Sequence, residues 1–417
     1  MLDSVKFSDN ILYGFVVNEL KRQRSKIELI ASENYAPVEV LELQGSILTN
    51  KYAEGTPGKR YHAGCEAIDD IENLAIDRAK VLFGADHANV QAHSGVNANL
   101  AVFMTLLNVG DKVMGMSLDH GGHLSHGSKV NISGKYYNFK QYGLNRDTEL
   151  IDYDAMEEMA TAFKPRLIIA GASAYSRYID YKRISNIAKS VDAYFMVDMA
   201  HVAGLVAANV HPSPVPYADF VTSTTTKTLR GARGGFILCR KEFANKLDKA
   251  IFPGIQGGPI PQIMAAKAYT FKYAMSNDFK DYAAQTVKNA KTIARVLSEN
   301  GFRIVSGGTD NHLMLVDLRN KNLTGVQLEK ALEYVGIMVN KNMIPYDPNP
   351  PVVTSGIRIG AAAMTSRGLK EGEMEEISYM INQVSDNIDN NSVLDKIKSH
   401  VSRLCDKYPL YEDLDRP

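Results

Sequence analysis

Between residues 85 and 240, short apolar runs alternate with stretches of helical periodicity. The runs lie at 88–92, 112–118, 166–171, 194–198, 219–222 and 235–239. Runs this short read as strands, and strands alternating with helices predict a mostly parallel sheet covered on both faces. The first fifty residues differ, reading as helices and an extended arm broken at Asn34-Tyr-Ala-Pro37. A Gly/Pro-rich stretch at 253–259 and a polar one at 276–278 flank a helical segment leading to a second unit. There a strand at 312–318, a helix near 324–335, a short strand at 357–359 and two amphipathic helices predict a smaller α+β domain. The expected organisation is a helical arm over 1–50, a large α/β domain over 51–280 and a small C-terminal α+β domain over 281–417.

Composition narrows the function classes. A chain of 417 residues exceeds one small core, and 45% apolar with 23% charged residues is ordinary for a soluble globular protein. Lys plus Arg and Asp plus Glu are both 47, so the formal net charge is zero. Such balance exerts no long-range pull toward nucleic acid or an anionic membrane and points to small-molecule work. Cys65, Cys239 and Cys405 show neither disulfide nor metal-ligand spacing and read as buried filler in a reducing compartment, with no metal expected. The N-terminus lacks a basic region followed by an apolar one, and no stretch approaches the roughly 20 apolar residues of a membrane span. A cytoplasmic location is expected.

In open α/β sheets, ligands sit at the carboxyl ends of the strands. The strand near 169 runs into Ser173, the strand near 196 ends at Asp198 with His201 three residues on, and the strand near 221 runs into Thr224-Thr-Thr-Lys227. Alone, an Asp after a strand serves as a turn or cap residue; the convergence of these groups on one edge is what points to chemistry. His93-Ser-Gly-Val96 follows the strand near 90 and opens a helix, so Ser94 and Gly95 fall where free N–H groups and the helix dipole favour an anion, although an ordinary Ser cap reads the same way. An anion site, a carboxylate and a lysine on one edge suit pyridoxal phosphate: the phosphate anchors, the carboxylate keeps the ring nitrogen protonated, and the lysine binds the aldehyde.

Longer stretches carry a resemblance. Val197-Asp-Met-Ala-His-Val-Ala-Gly-Leu-Val206 and the segment from Asp219 through Thr-Thr-Thr-Lys227 to Gly235 resemble the serine hydroxymethyltransferase family. So do Leu29-Ile-Ala-Ser-Glu-Asn34, Lys51-Tyr-Ala-Glu-Gly55, His120-Gly-Gly-His-Leu-Ser-His126, Val305-Ser-Gly-Gly-Thr-Asp-Asn-His312 and Thr354-Ser-Gly-Ile-Arg358, in the same order over nearly the whole chain. The resemblance implies an aspartate-aminotransferase-like fold (fold type I) and transfer of a hydroxymethyl group between serine and tetrahydrofolate, in a homodimer or dimer of dimers with shared sites. By the same resemblance Lys227 would hold the cofactor as a Schiff base, Asp198 would pair with its pyridine nitrogen, His201 would bond its phenolate and His123 would stack on its ring. Ser94, Gly95 and Val96 would form the phosphate loop, Ser173, Thr224 and Arg233 would line the cofactor site, and Tyr52, Gly257 and Gly258 would help from a second subunit. Ser32 and Arg358 would grip the amino-acid carboxylate, a task for which a planar guanidinium is suited, with Tyr61 and His62 on the substrate side. Glu54 would move the proton during cleavage of the Cα–Cβ bond, and Leu118, Gly122, Leu124 and Asn342 would face a folate.

Departures from the family pattern cluster at this site. Thr226 replaces a histidine before the lysine, Val96 replaces a small residue in the phosphate loop, and His62, Ala63 and Thr56 replace a tyrosine, a glycine and an aromatic; Ala92, Ala232 and Ala362 stand where prolines are common, and Ile255 where a glycine is. These changes keep two further readings open. One is a folate-independent β-hydroxy-amino-acid aldolase or an α-methylserine hydroxymethyltransferase. The other is a non-catalytic binding subunit, against which Lys227, Asp198, Glu54 and Arg358 all argue.

Overall fold

The structure is a computed structural model that describes residues 3–412; residues 1–2 of the expected arm and 413–417 of the expected C-terminal domain lie outside the described residues. A seven-stranded sheet dominates, in the spatial order His87–Asn89, Gly235–Cys239, Phe220–Thr224, Tyr194–Asp198, Leu167–Ala170, Lys112–Met116 and Asn138–Tyr142. The strands from Phe220–Thr224 through Asn138–Tyr142 are mutually parallel. Gly235–Cys239 runs antiparallel to both its neighbours. The sheet is thus α/β and mostly parallel, as the alternation of runs predicts.

Side chains along these strands point alternately to the two faces, each of which has its own core. Val113, Leu167, Ile169, Met196, Phe220 and Ile237 pack on one face. Met114, Ile168, Phe195, Val197, Val221 and Phe236 pack on the other. Burial on both faces explains the continuous apolar runs. The edge strand Asn138–Tyr142 carries the sequence Asn-Phe-Lys-Gln-Tyr and is half exposed, so it lacks such a run and pattern reasoning passes it over.

Strand order reverses between Lys112–Met116 and Leu167–Ala170, and a crevice forms at the carboxyl ends of strands on either side of such a switch. The loops leaving the two strands close on each other there: the Ser173 N–H donates to Gly121 O at 2.7 Å and the Ala174 N–H to the same oxygen at 3.1 Å.

The second unit is a four-stranded antiparallel sheet in the order Arg303–Ile304, Leu313–Asp317, Gly356–Gly360, Asn340–Asn342. The 23-residue helix Asn277–Glu299 joins the units, its first turn capped by Ser276 Oγ, which accepts from Phe279 N–H. Phe279, Tyr282 and Ala283 belong to the large core. Ala290, Ile293 and Leu297 belong to the small one. The expected boundary at 280/281 therefore falls inside a continuous helix, along which one core gives way to the other.

The expected arm divides. Asn10–Ser25 stands outside, with no buried residue. Phe7, Ile11 and Phe15 are all exposed. By contrast, Ile27–Glu28 pairs in parallel with Ile337–Met338, and the Gly360 N–H donates to Leu29 O at 2.8 Å. Ile27 and Leu29 are fully buried in the small core. A Cβ at Gly360 would lie 2.4 Å from Ala31 Cα. Backbone atoms cannot yield as a flexible side chain does, so Gly360→Ala is expected to destabilise the protein by about 1–3 kcal/mol, read as a lower urea midpoint at unchanged slope. An unchanged midpoint would show that the 27–31 segment is not docked this way.

Candidate active site

Ser94 caps the helix Gly95–Leu106: its Oγ accepts from Asn97 N–H at 3.2 Å and donates to Asn97 Oδ1 at 2.7 Å. The N–H groups of Gly95 and Val96 have no acceptor among the described residues, so they remain available to an anion. A side chain at 95 would approach Thr224 Cγ2 to 2.7 Å, which explains why glycine opens this helix. Arg233, exposed and without a hydrogen bond among the described residues, stands at the rim of the same cavity.

Asp198 ends the central strand Tyr194–Asp198. Its Oδ2 accepts from Asn99 Nδ2 at 2.9 Å and lies 3.1 Å from His126 Nε2, while Oδ1 accepts from the Ala200 N–H at 3.1 Å. Burial alone would raise the carboxyl pKa, but the bond and charge of His126, with help from His123 and Asn99, outweigh it and hold the group ionised. The donors are themselves fixed. Asn99 Nδ2 also donates to Ser125 Oγ, Asn99 Oδ1 accepts from Thr222 Oγ1 at 2.6 Å, and Ser125 Oγ lies 2.7 Å from His123 Nδ1. Burial, with the charge of Lys227 as a smaller contribution, pushes His123 down to about 4, leaving a neutral ring at neutral pH.

Lys227 follows the strand Phe220–Thr224, and its Nζ donates to Thr224 Oγ1 at 3.2 Å. Its carbonyl accepts from Asn34 Nδ2 at 2.9 Å and from the Arg230 N–H at 3.1 Å, so the segment is held from outside the sheet as well. Burial lowers the ammonium pKa, and Arg358 and Arg233 lower it further against the pull of Asp198. That is the direction an amine needs if it is to attack a carbonyl. His201 is buried with Nδ1 3.3 Å from His312 Nε2; burial and the nearby cations keep its pKa well below the usual histidine range.

Ser94, Gly95, Val96, His123, Ser173, Asp198, His201, Thr224, Lys227 and Arg233 thus surround one cavity of about 180 Å³, joined by His126, Ala172 and Ala200. A larger groove of about 570 Å³ lies at the opposite edge of the sheet, against Asp86 and Arg240, and contains neither lysine nor histidine. Leu118, Gly122, Leu124 and Asn342 meet at a second cavity of about 240 Å³, which shares His123 and Ser173 with the first. Arg358 lies behind the shared wall: its Nη1 donates to Ser173 O at 2.6 Å and its Nε to Asn340 Oδ1 at 3.1 Å. It is half-buried without a carboxylate partner among the described residues, and desolvation brings its pKa down to about 10, so it stays charged at neutral pH. Ser32 makes no hydrogen bond among the described residues; it follows Ala31, which lies against Gly360 at the end of the strand carrying Arg358.

The remaining expected residues form a separate group. Glu54 Oε1 lies beside Gly257, and the Tyr52 ring beside Gly258. His62 packs on Tyr52 with ring centroids 5.1 Å apart, and Tyr61 on Phe252 at 5.5 Å. None of these six lines the Lys227 cavity. Tyr52 and Tyr61 are 61% and 76% exposed, large aromatic surfaces that one chain leaves uncovered.

Reasoning from strand ends missed Asn99, Ser125 and Thr222, which hold Asp198 and His123. Asn99 carried a usable signal: it sits in a helix with Ala98, Ala101, Val102 and Phe103, all buried, where an amide must find partners.

This donor set fits a phosphorylated pyridine aldehyde: free amides at a helix start, a half-buried amine and an ionised carboxylate share one cavity. A family model described as serine hydroxymethyltransferase matches residues 5–381. The chain therefore belongs to the serine hydroxymethyltransferase family of pyridoxal-phosphate-dependent transferases.

Proposed function

We propose that the protein reversibly transfers a hydroxymethyl group between serine and tetrahydrofolate, giving glycine and methylenetetrahydrofolate, on a fold-type I scaffold whose sites are shared between two copies. The observation that carries this reading is the joined pair of cavities, one built around Lys227 and Asp198, the other lined by Leu118, Leu124 and Asn342, with His123 and Ser173 common to both. Bound pyridoxal phosphate supplies an electron sink for breaking a bond at the amino acid's Cα.

The chain's own residues do the rest. Gly95 and Val96 hold the phosphate through their amides, with Arg233 at the rim, and Lys227 supplies the amine that binds the aldehyde. Asp198, kept ionised by His126 and Asn99, holds a proton on the ring nitrogen. Ser173 O and Asn340 Oδ1 fix the Arg358 guanidinium while Nη2 keeps no partner among the described residues, leaving it to take the substrate carboxylate with Ser32. That grip sets which bond at Cα faces the ring. The apolar wall at Leu118 and Leu124, exposed in the free chain, suits a folate ring.

Glu54, Tyr52, Tyr61, Gly257 and Gly258 lie away from Lys227 of their own chain, which supports their use in a neighbour's site. There Glu54 moves the proton at the serine hydroxyl. The exposed row Phe7, Ile11 and Phe15 supports the same pairing of chains.

A second reading, a folate-independent aldolase or an α-methylserine enzyme, is favoured by one feature. Thr226 is half-buried beside Lys227 and makes no hydrogen bond among the described residues, where family members usually carry a histidine. A small side chain there leaves room for a bulkier substrate.

Three experiments bear on these assignments. Borohydride reduction of the loaded protein should attach the cofactor to Lys227, and Lys227→Ala should lose the adduct; an adduct on another lysine overturns the assignment. Mixed Lys227→Ala and Glu54→Gln subunits, each inactive alone, should regain part of the activity, because one site of the hybrid has both residues. No recovery despite demonstrated subunit exchange would count against shared sites. Finally, a panel of serine, α-methylserine and larger β-hydroxy amino acids, run with and without tetrahydrofolate, should show folate-dependent turnover of serine. Thr226→His should shift kcat/KM toward serine by about two- to tenfold, the size of one hydrogen bond near a reacting centre. Turnover of α-methylserine alone, or turnover indifferent to folate, would replace the first reading with the second.

A further inference from the structure

Lys267 sits in the helix Pro261–Ala274 and is fully buried. Its ammonium donates to Val90 O at 2.6 Å, Ala92 O at 3.0 Å and Gly235 O at 2.7 Å. Three N–H donors meet three carbonyls, which is the complete complement of a protonated lysine. No carboxylate pairs with it among the described residues. The acid whose field reaches it, Glu72, is already bound to Arg60 at 2.5 Å and to Gln91 at 2.7 Å. Burial pulls its pKa down to about 7, against which Glu72 and three carbonyl acceptors favour the protonated form, and a buried ammonium without a counter-ion calls for a reason.

Its position supplies one. Val90 and Ala92 lie on the short segment that leads into Ser94, and the Gly235 N–H donates to Ala92 O at 2.9 Å. A Cβ at Gly235 would lie 2.3 Å from Ser94 O, so the two segments are in backbone contact. The ammonium therefore lies immediately beneath the helix start whose free amides face the cavity, and its charge is felt at His93, where it adds to the lowering by burial.

We propose that Lys267 is a positioning residue for the cofactor phosphate: it ties together the chain on both sides of the anion cup and places an uncompensated positive charge beneath it. The inference rests on pyridoxal phosphate as the ligand of this cavity. A neutral side chain of similar length removes both the tie and the charge; both act on the anion cup, so the loss falls on a phosphorylated ligand and spares an unphosphorylated one.

The test titrates apo-protein with pyridoxal phosphate and with pyridoxal, following the absorbance of the Lys227 adduct, in wild type and in Lys267→Met. A unit charge within one or two residue widths of a dianion in a partly desolvated site predicts a Kd for pyridoxal phosphate raised at least about tenfold, against less than about threefold for pyridoxal. If Lys267→Met does not fold, the same ratio is read in Gly234→Ala, whose added methyl would lie 2.5 Å from Lys267 Cε and displace the ammonium. Equal losses for both ligands, or no loss, overturn the inference while leaving the cofactor assignment standing. A wild-type protein that forms no adduct with pyridoxal phosphate overturns both.

Discussion

A carboxylate at the end of a buried strand must be kept charged, and much of the large domain is arranged to do so. Asp198 receives Asn99 from the helix Gly95–Leu106, His126 from the loop after Lys112–Met116, and the Ala200 N–H from its own chain. Each donor also fixes an element. Asn99 reaches on to Thr222 in the neighbouring strand, so one amide joins the anion-binding helix, the carboxylate and the strand leading to Lys227. Loss of any one donor leaves a buried charge underbonded, at a cost of about 1–3 kcal/mol. The spacing between the Asp198 carboxylate, the free amides of Gly95 and Val96 and the Lys227 amine is set by this network.

The site also holds cations that no acid among the described residues pairs with directly. Lys267 is fully buried and Lys227 and Arg358 are half-buried, and each is held by hydroxyl, amide or carbonyl oxygens rather than by a carboxylate. Ion pairs inside the cavity would cancel the attraction for an anionic cofactor and substrate. Carbonyl dipoles hold the cations in place without cancelling their charge. The free protein bears this electrostatic cost, which a bound phosphate and carboxylate would relieve.

What the sequence made legible follows from the same physics. Strands buried on both faces leave continuous apolar runs, so 194–198 and 235–239 coincide with the structural strands Tyr194–Asp198 and Gly235–Cys239. The half-exposed strand Asn138–Tyr142 and the two-residue pairs Ile27–Glu28 and Ile337–Met338 have no periodic signature, because neighbours rather than local pattern create them. Strand-end residues such as Asp198 and Ser173 were readable because a parallel sheet fixes where its strands end. Asn99 and Lys267 were not, since each looks like an ordinary helix residue until its partners from other segments are in place.

The departures from the family pattern divide along the same line. Thr56, His62 and Ala63 lie on a loop whose backbone is pinned from within: Arg60 donates to Ala53 O, Gly55 O, Asp69 and Glu72, and Lys51 to Ala63 O. With the chain path secured by Arg60, side chains on this loop can change without disturbing Glu54. His62 uses that freedom, lying against Tyr52 with its Nδ1 buried and without a hydrogen bond among the described residues. Thr226 has no such latitude of path, because Thr225, Lys227 and Thr228 on either side are each tied by backbone or hydroxyl bonds. Its side chain is the variable part of a fixed segment. Change at 226 therefore alters space beside the amine without moving it, and change at 62 alters the face that Tyr52 and Tyr61 leave exposed. On the proposed reading the fixed groups would carry the chemistry, and these two positions are where a choice of substrate would lie.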